Sequence, residues 1–249
     1  MNKTYANPPV IEAVCEFRFD PASEWDPTIP GLLYDELKND FPVKKSAKIQ
    51  EFTLTTDVKA NRQQTDFHVR ERVRFLKEAN LFVQVDENLL AVNHLKPYSS
   101  WGEFSPKIMK AFEAYKDVAN PKGIQRIGVR YVNQIEIPEF DTGKLEEYFN
   151  FRVELEESLK KEEFGGVMAG VVFRFQDARD QAKIVLSEDK RGDAEKKSNA
   201  VFRLDIDYFL AKPGTVSLGE VHAWVDNAHG KVGEIFEGAI TDKTRALFE

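Results

Sequence analysis

The sequence predicts an α+β protein in which helices cover one face of a mostly antiparallel sheet. Runs with the two-residue alternation of half-buried strands come in blocks, and a helix with an apolar stripe closes each block. Short polar turns such as Asp86-Glu87-Asn88 separate neighbouring runs, as expected for hairpins. Strands that are joined by short turns and then closed by a helix are typical of this fold class.

The composition is that of a globular protein with one large domain or two small ones. The 249 residues are 42% hydrophobic and 31% charged, and the net charge of −7 argues against non-specific binding to DNA or to anionic membranes. Cys15 is the one cysteine, so no internal disulfide can form, which favours a reducing compartment. We find no signal peptide and no apolar run of about eighteen residues, so the predicted location is the cytoplasm.

The first predicted half, residues 1–120, reads strand, helix, four strands, helix. Its last helix follows a corner at Pro97 and opens with the capping-box spacing of Ser100 and Glu103. The predicted elements are the strand Val10–Phe19, a helix capped by Thr28 with its apolar stripe ending at Phe41, the strands Ile49–Thr55, Phe67–Phe75, Leu81–Val85 and Leu89–Val92, and the helix Trp101–Tyr115.

The second predicted half, residues 121–249, repeats this order with a long final helix that Ser217 opens. A charged segment, Lys190–Ser198, is predicted as an exposed loop. The other predicted elements are the strand Ile124–Ile137, a short helix Thr142–Phe149, and the strands Phe151–Leu155, Val167–Gln176, Ala182–Leu186 and Ala200–Leu210.

A shared pattern indicates that the two halves are copies of one β-α-β-β-β(-β)-α unit, packed as one globular body. Ser-x-Gly-Glu occurs at Ser100 and again at Ser217, an offset of 117 residues, and a Lys-Pro pair precedes each occurrence. The alternative is coincidence, because capping boxes after a Lys-Pro turn are common. The sequence leaves both readings open.

Three runs together give a family resemblance. They are PPVIEAV at residues 8–14, the corner Pro97-Tyr98-x-x-Trp101-x-x-Phe104, and RIGVRYVN at residues 126–133. With these runs the chain resembles a sporadically distributed bacterial family of roughly this length with no assigned activity. The resemblance implies a bacterial cytoplasmic protein of patchy occurrence, which suits mobile defence or toxin–antitoxin cassettes, and it supplies no catalytic residues.

The first candidate site is a basic stripe on the face of the sheet turned away from the core. Period-two alternation puts His68, Arg70, Arg72 and Arg74 on one face, opposite Phe67 and Phe75. Guanidinium groups bind carboxylate or phosphate, so an anionic small molecule, RNA or an acidic protein is one reading. The other is a solvated face whose arginines pair with Glu12, Glu16, Asp205 and Asp207 across strands. The candidate residues are His68, Arg70, Arg72, Arg74, Arg126, Arg130, Arg174 and Arg203.

A weak candidate metal site lies on the last helix, where His222, Asp226 and His229 share a face. The polar flank of an amphipathic helix explains the same spacing, so we predict no metal. The chain has no Gly-x-Ser-x-Gly, no Walker A motif and no Gly-x-Gly-x-x-Gly, and Cys15 lacks a catalytic signature. We therefore predict no catalytic residues and no cofactor.

The predicted function is that of a non-catalytic binding protein with a protein partner, antitoxin-like or immunity-like in character. Its surface would be the mixed-charge sheet face or the aromatic corner at Tyr98 and Trp101. Trp101 and Phe104 head an apolar stripe, so we expect both to anchor the core rather than to contact a ligand. The alternative function is a small enzyme or a nucleotide or anion sensor that uses the Arg/His-lined face.

Overall fold

The computed structural model describes residues 5–21, 25–57, 62–140, 144–152, 156, 166–189 and 199–249, with backbone alone over 47–57 and 62–71. In this part of the chain nine strands form one antiparallel sheet, which confirms the predicted α+β class. The strands are β1 (Val10–Phe19), β2 (Val43–Asp57), β3 (Arg62–Glu78), β4 (Leu81–Asp86), β5 (Leu89–Leu95), β6 (Ile124–Ile137), β7 (Met168–Phe175), β8 (Asp180–Glu188) and β9 (Ala200–Leu210).

The helices cover one face of this sheet, as predicted. They are α1 (Ile29–Leu37), α2 (Trp101–Ala119), α3 (Leu145–Tyr148), α4 (Val221–Ala239) and α5 (Asp242–Arg245), with single 3-10 turns at Leu218–Glu220 and Ala246–Phe248. Helix α2 packs against β5, α4 packs against β6 and β9, and α1 packs against α2. In β1, β8 and β9 alternate residues are buried under this layer, and the buried side chains form one continuous core.

The two halves share the sheet and follow the same strand order outward from its centre, with five strands in the first half and four described strands in the second. The order across it is β2-β3-β4-β5-β1-β6-β9-β8-β7, so the first strand of each half lies beside the last strand of that half. Strands β1 and β6 pair antiparallel at the centre, with Cys15 opposite Val129, and join the halves. The duplication of one unit stays a prediction.

Both Ser-x-Gly-Glu runs begin a helix, as predicted, but in different ways. The Ser100 side chain accepts a hydrogen bond from the Glu103 backbone N–H at 3.3 Å, and α2 starts directly. The Ser217 backbone N–H donates to the Glu220 carboxylate at 2.9 Å, and a 3-10 turn precedes α4. In each run one side chain, Ser100 in the first and Glu220 in the second, accepts a hydrogen bond from a backbone N–H at the helix start.

The predicted boundaries differ most where polar residues hide the alternation. Strands β2 and β3 each extend well beyond the apolar cores Ile49–Thr55 and Phe67–Phe75, because hydrogen-bonded pairing continues into polar sequence. The predicted helix Thr142–Phe149 shrinks to α3, with 141–143 outside the described residues. Phe151 and Arg152 lie in no strand. The rest of the predicted strand Phe151–Leu155 and the predicted loop Lys190–Ser198 lie outside the described residues.

Candidate functional site

A pocket of about 260 Å³ opens beside the start of α2, and we call it the aromatic pocket. Its walls come from the segment before β1, the corner before α2, the middle of β6, and one flank of α4. The lining residues are Tyr5, Pro8, Pro9, Val10, Tyr98, Ser99, Ser100, Trp101, Tyr131, Asn133, His229, Val232, Gly233, Phe236 and Glu237. All three runs that carry the family resemblance therefore contribute to this one pocket.

A hydrogen-bonded chain of three side chains forms the inner part of the pocket. The Tyr98 and Tyr131 hydroxyls lie 2.9 Å apart, and the Tyr131 hydroxyl lies 3.2 Å from His229 Nδ1. Burial raises the pKa of Tyr98 to about 12 and that of Tyr131 well above its usual value, so both phenols keep their protons at neutral pH. These three hydrogen-bonded side chains can donate and accept hydrogen bonds, and they carry no charge.

His229 connects this chain to the aromatic corner. Its ring stacks on Trp101 with centroids 4.0 Å apart and planes 4° from parallel. Burial lowers the pKa of His229 to about 4, against the opposing effect of Asp226, so the imidazole is neutral at pH 7. The Trp101 indole N–H in turn donates to Asp226 at 3.2 Å. Phe104 is buried as expected. Trp101 packs against the core but is only partly buried and lines the pocket, so its role as a core anchor rather than a ligand contact stays a prediction.

Another histidine supports the pocket from the core side. His94 is 5% exposed, and its ring lies 5.0 Å from that of Tyr98 and 5.6 Å from that of Phe104. Burial lowers the pKa of His94. Its Nδ1 atom has no hydrogen-bond partner, and it is the one such buried side-chain atom found in the described residues. His94 therefore packs as a neutral aromatic ring behind the pocket wall.

The N-terminal segment closes the outer side through Glu237. The Tyr5 hydroxyl donates to one carboxylate oxygen at 2.7 Å, and Arg245 Nε donates to the other at 2.8 Å. The Tyr5 ring also packs edge-on against Phe236 and Phe248. The single acidic group in the pocket lining thus has its charge balanced by Arg245 within the fold.

The weak metal candidate does not come together as a ligand set. His222 Nε2 lies 3.4 Å from Asp226 on the exposed side of α4, while the ring of His229 turns to Trp101 and Tyr131. No group of three His, Cys, Asp or Glu residues suited to a metal ion occurs among the residues with described positions.

The candidate arginines whose side chains are described lie on the sheet face opposite the helices, which we call the open face. Arg126 contacts Glu16 at 3.3 Å and Asp207 at 2.7 Å, and its guanidinium lies over the ring of Phe209. Gly128 makes this possible, because a Cβ there would lie 2.5 Å from Arg126 Nη1. A cross-strand ion network therefore occupies the centre of the open face.

The other arginines of the open face with described side chains are engaged as well, apart from Arg174, which is exposed on β7. Arg130 holds Asp205 with two hydrogen bonds of 2.8 and 2.5 Å, and Arg203 holds Asp189 at 2.9 Å. Arg72 is only 9% exposed and lies 3.3 Å from Asp86. His68 and Arg70 occupy strand positions in β3, as predicted, but their side chains lie outside the described set.

A polar ladder that sequence reasoning missed crosses the open face from β3 to β1. Arg74 donates to Gln84 at 2.9 Å, Gln84 to Asn93 at 2.7 Å, and Asn93 to Glu12 at 2.9 Å. Gln84 and Asn93 are buried. They are polar residues within largely apolar strands, and that was the one available signal for them.

Comparison with known proteins leaves the chain unassigned, since no family model and no curated protein matches it. Within the described residues, no helix combines the length and the apolar character needed to cross a membrane. The geometry therefore carries the functional argument.

Proposed function

We propose that this protein is a non-catalytic binding protein whose recognition site is the aromatic pocket. The observation that carries the proposal is convergence. Segments far apart in the chain bring Tyr98, Trp101, Tyr131 and His229 to one pocket of about 260 Å³. Pockets with mostly apolar walls and a few converging polar groups are typical of binding sites.

The chemistry of the pocket supports binding rather than catalysis. A general base that works near neutral pH needs a pKa near that value, and His229 lies well below it, at about 4. The pKa values of Tyr98 and Tyr131 are raised by burial and lie far above neutral pH. The thiol of Cys15 is fully buried away from the pocket lining, and burial raises its pKa.

The bound group on this proposal is uncharged and largely apolar, with one polar atom. Glu237 is already balanced by Arg245, and Asp226 accepts the Trp101 N–H outside the apolar lining. A charged ligand would lose hydration without a compensating charge. A phenol, an indole or a protein side chain of that kind can stack on the rings and reach the Tyr131 hydroxyl.

The biological setting belongs to the same proposal. A cytoplasmic protein that presents one aromatic pocket is suited to capture a side chain of a protein partner, as an antitoxin-like or immunity-like protein does. The alternative, an anion or RNA on the open face, requires the ligand to displace Asp205 from Arg130 and Asp207 from Arg126. Those contacts favour the pocket over the open face.

Tryptophan fluorescence tests the proposal with small probes. Indole derivatives obscure the signal, so p-cresol is titrated against the wild type, Trp101→Phe, and the open-face variant Arg130→Ala. We expect saturable quenching and a rise in melting temperature by mass action in the wild type and in Arg130→Ala. Trp101→Phe removes the fluorophore of the pocket, so its readout is the melting temperature, and we expect the rise to be lost there. Saturable binding that is unchanged in Trp101→Phe but lost in Arg130→Ala would move the site to the open face.

A further inference from the structure

The edge strand β7 is the most apolar exposed surface of the described chain. Met168, Val171, Val172 and Phe173 are 82%, 41%, 57% and 49% exposed. Four of the six large hydrophobic side chains exposed in the described residues thus lie on this one strand. They occupy both faces, because successive residues of a strand point to opposite sides. A patch so concentrated marks an interaction surface.

The strand also lacks the features that keep sheet edges apart. Proteins protect edges with lysines, prolines, bulges or short strands. The opposite edge, β2, carries Lys44 and Lys45 directly after its first residue. Strand β7 has eight residues, one charge at Arg174, no proline, and an unbroken register against β8. Among the described strands β8 is the one neighbour of β7, so the backbone groups on its outer edge can pair with a further strand.

We propose that β7 pairs antiparallel with β7 of a second copy of this chain, about a two-fold axis through Val172. The two nine-stranded sheets then form one continuous sheet. Because the axis is perpendicular to the sheet, the helix-covered faces of both copies lie on the same side.

The self-complementarity of the strand points to a second copy as the occupant. In this register Val172 faces Val172 of the second copy, and Val171 faces its Phe173 twice, once on each side of the axis. Pairs of β-branched and aromatic residues are favourable across strands. Arg174 faces Gly170, so no like charges oppose one another. Each of these three apolar side chains thus gains an apolar partner from the same sequence.

Cysteine cross-linking tests the register directly. Cα atoms of directly opposed residues are about 4.5–5.5 Å apart, within the range of about 4.4–6.8 Å that a disulfide needs. Val172→Cys is therefore expected to form a cross-linked dimer under mild oxidation. Phe173→Cys is expected to remain uncross-linked, because its copies lie about 8 Å or more apart in this register. Leu32→Cys, on the exposed side of α1, is the matched control, and the native Cys15 is buried.

Light scattering on the full chain provides an independent readout. We expect the mass of two chains for the wild type and for Leu32→Lys, and the mass of one chain for Val172→Lys, which sets two ammonium groups against each other. Val172→Thr, which keeps strand propensity, is expected to weaken the dimer by about tenfold or more while melting cooperatively.

Three results would overturn the proposal. The first is a wild-type chain that stays monomeric, together with a Val172→Cys variant that does not cross-link under mild oxidation. The second is equal cross-linking of the three cysteine variants, which would exclude this register. The third is a monomer whose β7 pairs with a strand of a different protein.

Discussion

Tyr131 is the residue on which the aromatic pocket depends most. Its hydroxyl lies within hydrogen-bond distance of both Tyr98 and His229, and the side chain is only 6% exposed. The alternation of β6 predicts that Tyr131 points away from Arg130, but nothing in the local sequence predicts which side chains it meets. A local pattern sets the direction of a side chain, whereas tertiary packing sets its partners.

Removing this hydroxyl tests its role. Tyr131→Phe should lower the free energy of unfolding by about 1–3 kcal/mol, because two neighbouring polar groups lose a partner in a buried place. The measurement is urea unfolding followed by fluorescence. Tyr34→Phe is the control, since the Tyr34 hydroxyl makes a single exposed bond to the Pro42 carbonyl. An equal or smaller loss in Tyr131→Phe than in Tyr34→Phe contradicts the hydrogen-bonded chain.

His229 makes the free energy of unfolding depend on pH. Its pKa falls from 6.5 to about 4 on folding, so the unfolded chain binds more protons between these values and stability decreases as the pH drops through this window. His94, whose pKa burial also lowers, acts in the same direction. Unfolding free energies between pH 7 and pH 4 should therefore decline less steeply in His229→Gln than in the wild type. Parallel curves for the two proteins would show that His229 is not buried as a neutral ring.

At the scale of elements, β6 shows how a single glycine organises the open face. Gly128 leaves room for the Arg126 guanidinium, which joins Glu16 of β1 to Asp207 of β9. The sequence predicted that Arg126 and Arg130 share a face, and the structure confirms it. The sequence left open whether these arginines pair with carboxylates or bind an anion. Cross-strand pairing depends on the order of the strands, which local alternation does not reveal.

A double-mutant cycle measures this arrangement. Gly128→Ala should cost about 0.5–2 kcal/mol in the wild type, because the new methyl displaces the guanidinium from its carboxylates. In the Arg126→Ala background the same change should be neutral or stabilising by about 0.5–1 kcal/mol, since alanine is less costly than glycine in a strand. Equal effects in both backgrounds, measured by chemical unfolding, would mean that Gly128 serves another purpose.

A pair of salt bridges links α2 to the turn after α1. Asp40 accepts hydrogen bonds from Lys107 and Lys110, which lower its pKa from 3.8 to about 2. The contribution is complete above pH 3.8 and is lost as the pH falls towards 2. Asp40→Asn should cost about 0.5–1.5 kcal/mol at pH 7, a modest amount because these side chains are partly exposed. The cost should be smaller at pH 2, where the wild-type carboxyl group is half protonated. An undiminished cost at pH 2 would indicate a packing defect instead.

At the scale of the whole molecule, fold class and most element positions follow from the sequence. The strands Val10–Phe19, Ile124–Ile137 and Ala200–Leu210 have their predicted bounds, because continuous alternation and flanking breakers mark both ends. The aromatic pocket could not be predicted from the sequence, although the sequence indicated Tyr98 and Trp101 as a candidate surface. Its other walls come from β6 and α4, and only the pairing of β1 with β6 brings them together.

A backbone amide NMR titration of the full chain with p-cresol tests whether the aromatic pocket is the recognition site. We expect saturable shifts that cluster at Tyr98, Trp101, Tyr131 and His229, with no comparable change at Arg126. Shifts that centre instead on the strands around Arg126 and Asp207, or that never saturate at any site, would contradict it.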